Sequence, residues 1–271
     1  MTEVASFLSP EDAGRIANLQ VLARLVVEGF CSGLHRSPHK GFSVEFRQHR
    51  PYVPGDEIRH LDWKVFGKSD RFYVREYEEE TNVRATLLLD VSGSMDYGAG
   101  GHNKHHYAVR VAAALAYLML RQADGVGLVT FDHALREVIP PRSRPSHLGV
   151  LTQVLERAQP GGETDLGRAL HDLVPSLHRR GLLILISDCF GDIGVLQRAL
   201  AQFRHAHHEV IVLQVWHRDE LEFPFRQWTR FDALEVSGRH QLVEPDALRA
   251  AYLQRVQRFR DELRRSCSSH R

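Results

Sequence analysis

The sequence predicts an α/β fold built on a doubly wound, mostly parallel sheet of the Rossmann-like kind. The first observation is four apolar runs rich in Leu, Val and Ile: ATLLLDVS, GVGLVTF, GLLILISD and EVIVLQVW. Continuous runs of this kind are typical of strands that are covered on both faces. The second observation is that helix-like stretches lie between the runs, and this alternation favours a parallel sheet.

The first element expected along the chain is a helix. Ser9 and Pro10, followed by Asp12, form a helix start. Apolar residues then recur at three- and four-residue steps, at Ile16, Leu19, Ala23, Val26 and Phe30. One apolar face over this distance predicts a helix of roughly 20 residues.

A small β-rich leader follows this helix. Residues 32–81 are rich in Gly, Pro, Arg and aromatic residues, and FSVEF and RFYVREY alternate in polarity as strands do. A short helix is expected near Ile58 to Phe66. The predicted organisation is therefore an N-terminal helix and leader over residues 1–82 and an α/β domain over residues 83–271.

Within the leader, the stretch RPYVPGDEIRHLDW concentrates charged and aromatic residues: Arg50, Asp56, Arg59, Asp62 and Trp63. Asp56 can cap the short helix, on which Arg59 and Asp62 would lie one turn apart. Two interpretations stay open, a structural network of ion pairs and stacking or a surface that docks a partner.

The α/β domain is expected to contain five helices, one hairpin and a last short strand in addition to the apolar runs. Helices are predicted at His105–Arg121, Pro145–Arg157, Asp165–Arg179, Gly194–Phe203 and Pro245 to about Arg265. LVTFDHALREVIP is too short for a crossover helix, so it predicts a hairpin that adds one antiparallel edge strand. A last short strand is expected near ALEVS.

Polar residues follow two of the apolar runs. In an open doubly wound sheet, ligands bind beyond the carboxyl ends of the strands. One run ends in Asp90 and another in Asp188, and the usual strand order places these two strands side by side. Asp90, Ser92 and Ser94 alternate, so a gently turning backbone points all three side chains the same way.

The stretch PGGETDL supplies a third group, because Thr164 and Asp165 stand immediately before a predicted helix. Hydroxyl and carboxylate oxygens suit Mg²⁺, with Mn²⁺ or Ca²⁺ as alternatives. A site with few carboxylates would leave the ion electrophilic, so an acidic residue of another protein could complete its shell. The alternative for Thr164 and Ser94 is helix capping.

LLLDVSGSM, GGETDL and LISDCFGD resemble the metal-ion-dependent adhesion site of the von Willebrand factor type A domain, over roughly residues 83–240. The leader resembles that of a bacterial family of unknown function whose members often sit beside MoxR-type AAA+ ATPases. The resemblance implies that Ser92, Ser94 and Thr164 are direct metal ligands, whereas Asp90 and Asp188 hold the ion through waters. It also implies a binding module that works with such an ATPase. Many members have hydrophobic N-terminal spans, which this sequence does not show.

The net charge and the cysteine spacing limit the partners and the cellular compartment that are expected for this protein. The formal charge of +1 provides no global field that would attract nucleic acid or an acidic membrane. Cys31, Cys189 and Cys267 are widely spaced, so they indicate neither a disulfide framework nor a zinc site. No stretch approaches the roughly 18 apolar residues of a membrane span. A cytoplasmic protein without a membrane span is expected.

Two other functions compete with the binding module. One is a metal-dependent hydrolase of the phosphatase kind, with Glu163 or Asp165 as its base. The other is nucleic-acid binding through the interleaved basic and aromatic residues of HRSPHKGFSVEFRQHRPY. The histidine cluster His102, His105 and His106 is expected to be solvated, and Cys189 to be a packing residue.

Overall fold

The structure, a computed structural model, describes residues 44–53, 61–79, 83–99, 102–177, 179–235 and 238–269. These residues fall into two compact units that divide between Val83 and Arg84. The predicted N-terminal helix lies outside the described residues.

The smaller unit pairs two antiparallel strands, β1 (Val44–Pro51) and β2 (Tyr73–Glu79), with helix α1 (Trp63–Ser69) between them in sequence. Asp62 caps α1, since its carboxylate accepts hydrogen bonds from the backbone N–H groups of Lys64 at 2.9 Å and Val65 at 3.2 Å. The short helix was therefore predicted, but the placement of Asp62 on it was wrong. Asp56 and Arg59 lie outside the described residues.

The larger unit contains a five-stranded sheet. Its strands are β3 (Arg84–Asp90), β4 (Gly125–Phe131), β5 (Leu135–Arg142), β6 (Leu182–Ser187) and β7 (Glu209–Gln214). They lie in the order β5-β4-β3-β6-β7, and β5 alone among them is antiparallel to its neighbour. This confirms the predicted mostly parallel sheet with one antiparallel edge strand.

The helices of this unit are α2 (Lys104–Arg121), α3 (His147–Arg157), α4 (Leu166–Leu173), α5 (Ile193–His205), α6 (Arg218–Glu222) and α7 (Pro245–Ser269). Alternate residues of β3 face opposite sides of the sheet. Leu87 and Leu89 pack in one core cluster with residues of α2 and α3. Leu88 packs in a second cluster with residues of α4, α5 and α7. The sheet is therefore covered by helices on both faces.

Helix α4 is shorter than predicted. It ends at Leu173 and is followed by a 3₁₀ turn over Val174–Ser176, whereas the sequence pattern suggested continuation to Arg179. Pro175 has no backbone N–H to donate to the carbonyl four residues earlier, so the α-helical ladder stops there. No described helix has the length and apolar character needed to cross a membrane.

The strand predicted near ALEVS was wrong. The strands in this region are β8 (Thr229–Asp232) and β9 (His240–Val243), which form a separate antiparallel pair. Ala233, Leu234 and Glu235 lie in the connection between them, and the Ala233 N–H donates to the Arg239 carbonyl at 2.8 Å. These three residues therefore belong to a hairpin connection and not to a strand.

Candidate metal centre

Two buried aspartates lie at the carboxyl edge of the sheet. Strands β3 and β6 pair in parallel up to Leu89 opposite Ile186, so Asp90 and Asp188 follow at the same edge. Both side chains are fully buried. Burial, and then the negative charge of Asp188, raises the pKa of Asp90 from 3.8 to about 6. The predicted meeting of the two acids is therefore present.

The Asp90 carboxylate is held by a hydrogen bond to each oxygen. Oδ1 accepts from the Ser92 backbone N–H at 2.9 Å, and Oδ2 accepts from the Ser187 hydroxyl at 2.6 Å. The Ser187 hydroxyl oxygen in turn accepts from the Cys189 backbone N–H at 2.8 Å. These contacts fix the orientation of Asp90 from both neighbouring strand ends.

Ser92 and Ser94 bring two hydroxyl oxygens together. They lie at the start of a 3₁₀ turn over Gly93–Asp96, and their hydroxyls are hydrogen-bonded to each other with the Oγ atoms 3.1 Å apart. Ligands of Mg²⁺ stand about 2.0–2.1 Å from the ion in an octahedron, so adjacent oxygens are about 2.9 Å apart. The hydroxyl pair therefore has the spacing of one octahedral edge.

Backbone hydrogen bonds join the PGGETDL loop to the turn after β3. The Gly161 N–H donates to the Val91 carbonyl, and the Gly93 N–H donates to the Gly162 carbonyl, each at 2.9 Å. This exchange brings the loop that carries Thr164 beside the turn that carries the two serines. The third predicted segment is therefore next to the first.

Thr164 does not cap the helix that follows it. Asp165 is the N-cap of α4, and its carboxylate accepts from the Arg168 N–H at 2.9 Å. The half-buried Thr164 instead donates its hydroxyl hydrogen to Glu235 Oε1 at 2.6 Å. The capping alternative for Thr164 was wrong, because the carboxylate one residue later takes that role.

A buried lysine faces the second aspartate. Lys104, the first residue of α2, is 2% exposed, and its ammonium lies 2.9 Å from Asp188 Oδ2 and 2.6 Å from Glu220 Oε1. The other Asp188 oxygen accepts from the Phe190 N–H at 3.0 Å. The ammonium offsets part of the carboxylate charge at the candidate centre.

These oxygen donors fit a hard divalent ion. In the part of the chain that the structure describes, no group of three or more His, Cys, Asp and Glu side chains could hold a metal. An ion here would therefore depend on the hydroxyls of Ser92, Ser94 and Thr164. With Asp90 and Asp188 behind them, this set suits Mg²⁺ or Mn²⁺ rather than a soft ion.

An apolar cavity of about 480 Å³ lies close to these residues. Its lining includes the aromatic residues Phe223, Phe225, Phe231 and Tyr252, and its polar lining residues include Tyr97 and Glu220. Because Glu220 also contacts Lys104, whose ammonium contacts Asp188, two ion pairs connect the cavity to the candidate metal centre.

The remaining candidate residues have other surroundings. His102 and His106 are exposed, whereas His105 is buried with its Nε2 2.9 Å from the Ala158 carbonyl oxygen. The solvated interpretation therefore holds for two of the three histidines. Cys189 is buried in the core, as expected, and burial raises the pKa of its thiol. Glu163 is exposed.

The relatives found by sequence comparison are described as uncharacterised proteins. A family model described as "Protein of unknown function DUF58" matches residues 48–262. An uncharacterized protein of Mycobacterium tuberculosis is 28% identical over 220 residues, which cover 79% of this chain and 68% of that protein. An uncharacterized protein of Mycobacterium bovis matches over the same shares at the same identity.

Among solved structures, the chain is similar to the conserved hypothetical protein BatB from Bacteroides thetaiotaomicron. The TM-score is 0.44 at 18% identity, over 69% of this chain and 87% of that one. An aerotolerance-related membrane protein from Bacteroides fragilis gives a TM-score of 0.44 at 20% identity, over 69% and 94%. A von Willebrand factor type A protein from Catenulispora acidiphila gives 0.35 at 14%, over 50% and 33%.

Proposed function

The chain belongs to the DUF58 family of proteins of unknown function, and from that premise we propose that it is a metal-dependent protein-binding module. Ser92, Ser94 and Thr164 would bind a divalent ion, with Asp90 and Asp188 holding it through waters. The bound ion would supply an electrophilic position for a carboxylate. An acidic side chain of a partner protein is the ligand that this position would take.

The observation that carries this proposal is the meeting of three segments at one edge of the sheet. The turn after β3 brings two hydroxyl oxygens 3.1 Å apart, and the loop carrying Thr164 is hydrogen-bonded to that turn. Each Asp90 oxygen is held by a donor from a strand end. Such an arrangement restrains the donor groups before an ion arrives, which lowers the cost of binding it.

The apolar cavity would give such a partner a second point of contact. It is lined by apolar side chains with a few polar groups, as ligand pockets in proteins generally are, and could take an apolar side chain of the partner. Among its lining residues, Arg255 is exposed and has no ion-pair partner in the described part of the chain. A partner segment with an acidic residue near an aromatic or aliphatic side chain would match both the ion and the cavity.

The part of the proposal that concerns an ATPase depends on the resemblance of the leader to that of the bacterial family named above. Chains with this leader often sit beside MoxR-type AAA+ ATPases, so we propose that the module works with such an ATPase in the maturation or remodelling of other proteins. The widely spaced cysteines fit a reducing compartment, and the proposed place of action is the cytoplasm.

The hydrolase alternative has less support. Asp165 is engaged as the cap of α4, and Glu163 is exposed without a described hydrogen-bond partner. A general base is ordinarily oriented by a third group, and in the described part of the chain Glu163 has no such contact while Asp165 is engaged at the helix N-terminus. We therefore favour binding over hydrolysis.

The proposal is tested by titrating the full chain with Mn²⁺ in a calorimeter. Wild type is expected to bind one ion, and Asp90→Ala is expected to lose binding, whereas Asp246→Ala removes an exposed acid on α7 and should bind normally. Equal binding by Asp90→Ala and wild type would exclude this site. The proposed partnership is tested by capture of a MoxR-type AAA+ ATPase on the immobilised chain, which should require Mg²⁺ and should fail with Asp90→Ala.

A further inference from the structure

The connection between β8 and β9 reaches the candidate metal centre. Glu235 in this connection is half-buried, and its Oε1 lies 2.6 Å from the Thr164 hydroxyl. The backbone of the neighbouring Leu234 lies against the turn after β3, where a Cβ added to Gly93 would lie 2.5 Å from the Leu234 carbonyl oxygen. The backbones are in such close contact that only glycine fits at this position of the turn.

The hydrogen bond determines how the Thr164 hydroxyl can be used. A hydroxyl has one hydrogen to donate and two lone pairs that accept or bind a metal. A donor distance of 2.6 Å is typical of a short bond to an ionised carboxylate. Because the hydrogen points to Glu235, the lone pairs of Thr164 are directed away from Glu235 and are free to act as ligands.

Charge gives Glu235 a second effect. Lys104 places an ammonium 2.9 Å from Asp188, so one of the two aspartates at the centre is partly offset. Glu235 adds a carboxylate on the Thr164 side, where the described residues supply hydroxyls. A carboxylate that accepts a hydrogen bond from a metal ligand raises the electron density on the ligand oxygen, and its negative charge also attracts the cation.

We propose that Glu235 is a positioning residue of the metal centre that acts through Thr164. This inference rests on the proposed metal-binding function and adds to it a residue from the β8–β9 connection. Glu235 fixes the rotation of the Thr164 hydroxyl and supplies a carboxylate next to the ion. Within the described part of the chain, Thr164 is the hydrogen-bond partner of its side chain.

The experiment is a double-mutant cycle with Mn²⁺ affinity as the readout. Four proteins are titrated: wild type, Glu235→Gln, Thr164→Val and the double variant. Loss of a residue that supports a metal ligand typically lowers affinity about 10- to 100-fold, and we expect that range for Glu235→Gln. Because the two residues act as one unit, the double variant should be within about twofold of the weaker single variant.

Glu163→Gln is the matched control. Glu163 precedes Thr164 in the same loop, carries the same charge and is exposed. Its variant should bind Mn²⁺ within about twofold of wild type, because it removes charge without touching the Thr164 hydroxyl. Thermal unfolding of all variants in EDTA separates ion binding from folding, since a purely structural Glu235 would lower the unfolding temperature and leave Mn²⁺ affinity unchanged.

The outcomes separate this inference from the proposed function. If wild type binds Mn²⁺ and Asp90→Ala does not, but Glu235→Gln binds like Glu163→Gln, the metal centre stands and the role of Glu235 is overturned. Fully additive losses in the double variant also overturn it, because the two residues would then act separately. No binding by wild type overturns the metal centre and the inference together.

Discussion

Lys104 shows how one residue sets the charge of the candidate centre. Its ammonium is 2% exposed and is shared between Asp188 and Glu220. An unpaired charge in buried surroundings destabilises the folded state. Lys104, Asp188 and Glu220 therefore each need their ion-pair partners. In the absence of an ion, the lysine therefore serves as a built-in cation next to Asp188.

Replacing this lysine tests that role. Lys104→Met leaves Asp188 and Glu220 without their cation, and in EDTA we expect the free energy of unfolding to fall by roughly 3 to 5 kcal/mol. Mg²⁺ should then stabilise the variant more than it stabilises wild type, because a divalent ion can replace the lost charge. Urea unfolding with EDTA and with Mg²⁺ measures both effects.

Lys68→Met, an exposed change in α1, is the control for Lys104→Met. Equal stability of the two variants, or an equal response to Mg²⁺, would show that the Lys104 ammonium does not compensate the site.

The site residues differ in how far the sequence could predict them. Asp90, Ser92 and Ser94 stand within five residues of a strand end, so a local pattern is enough to bring them together. Lys104 is 84 positions from Asp188, and Thr164 is 71 positions from Glu235. Such contacts depend on packing between distant elements, and a lysine at a helix start is ordinarily taken as a solvated charge.

At the scale of elements, strands were predicted better than helix ends and short hairpins. Four of the five strands of the main sheet followed from continuous apolar runs, which are typical of strands covered on both faces. The edge strand β5 followed from a connection too short to hold a crossover helix. The end of α4 depends on the single residue Pro175, and the start of α1 on the cap Asp62. The β8–β9 hairpin has four-residue strands that are largely exposed, so its apolar pattern is weak.

The N-cap residue Asp165 is expected to stabilise helix α4. Asp165→Ala removes the carboxylate that accepts from the Arg168 N–H, and we expect the free energy of unfolding to fall by about 1 kcal/mol. Asp165→Asn keeps a capping oxygen and should lie close to wild type. Urea unfolding measures the change. Mn²⁺ affinity of the folded protein should be unchanged, and a loss like that of Asp90→Ala would place Asp165 in the metal centre instead.

At the scale of the whole molecule, buried groups with opposite pKa shifts set the dependence of stability on pH. Burial lowers the pKa of His105, His147 and His208, so protonation of these rings favours the unfolded chain. Their contribution to stability is present above their ordinary pKa and is lost as the pH falls. Asp90 acts in the opposite direction, because its pKa is raised to about 6.

The Asp90 contribution can be isolated by comparing wild type with Asp90→Asn in EDTA. The unfolded chain ionises Asp90 near pH 3.8 and the folded chain near pH 6. Its stabilising contribution is therefore complete below about 3.8 and is lost as the pH rises through about 6. The shift of roughly two pH units corresponds to about 3 kcal/mol.

Urea unfolding at a series of pH values should show wild type losing stability relative to Asp90→Asn between pH 4 and 6. The histidines are common to both proteins, so their effect cancels in the difference. A difference that stays constant across this range would mean that Asp90 is not protonated more easily in the folded protein. Mg²⁺ should reduce the loss, because it stabilises the ionised carboxylate.

The β8–β9 hairpin contributes residues to both the candidate metal centre and the apolar cavity. Its connection carries Glu235, which contacts Thr164, and its strands carry Phe231, Gln241 and Val243, which line the apolar cavity. A ligand that binds in the cavity and shifts the hairpin would alter the affinity of the metal centre for its ion. By thermodynamic reciprocity, the bound ion would alter the affinity of the cavity for that ligand by the same factor. Binding at either site would therefore change binding at the other.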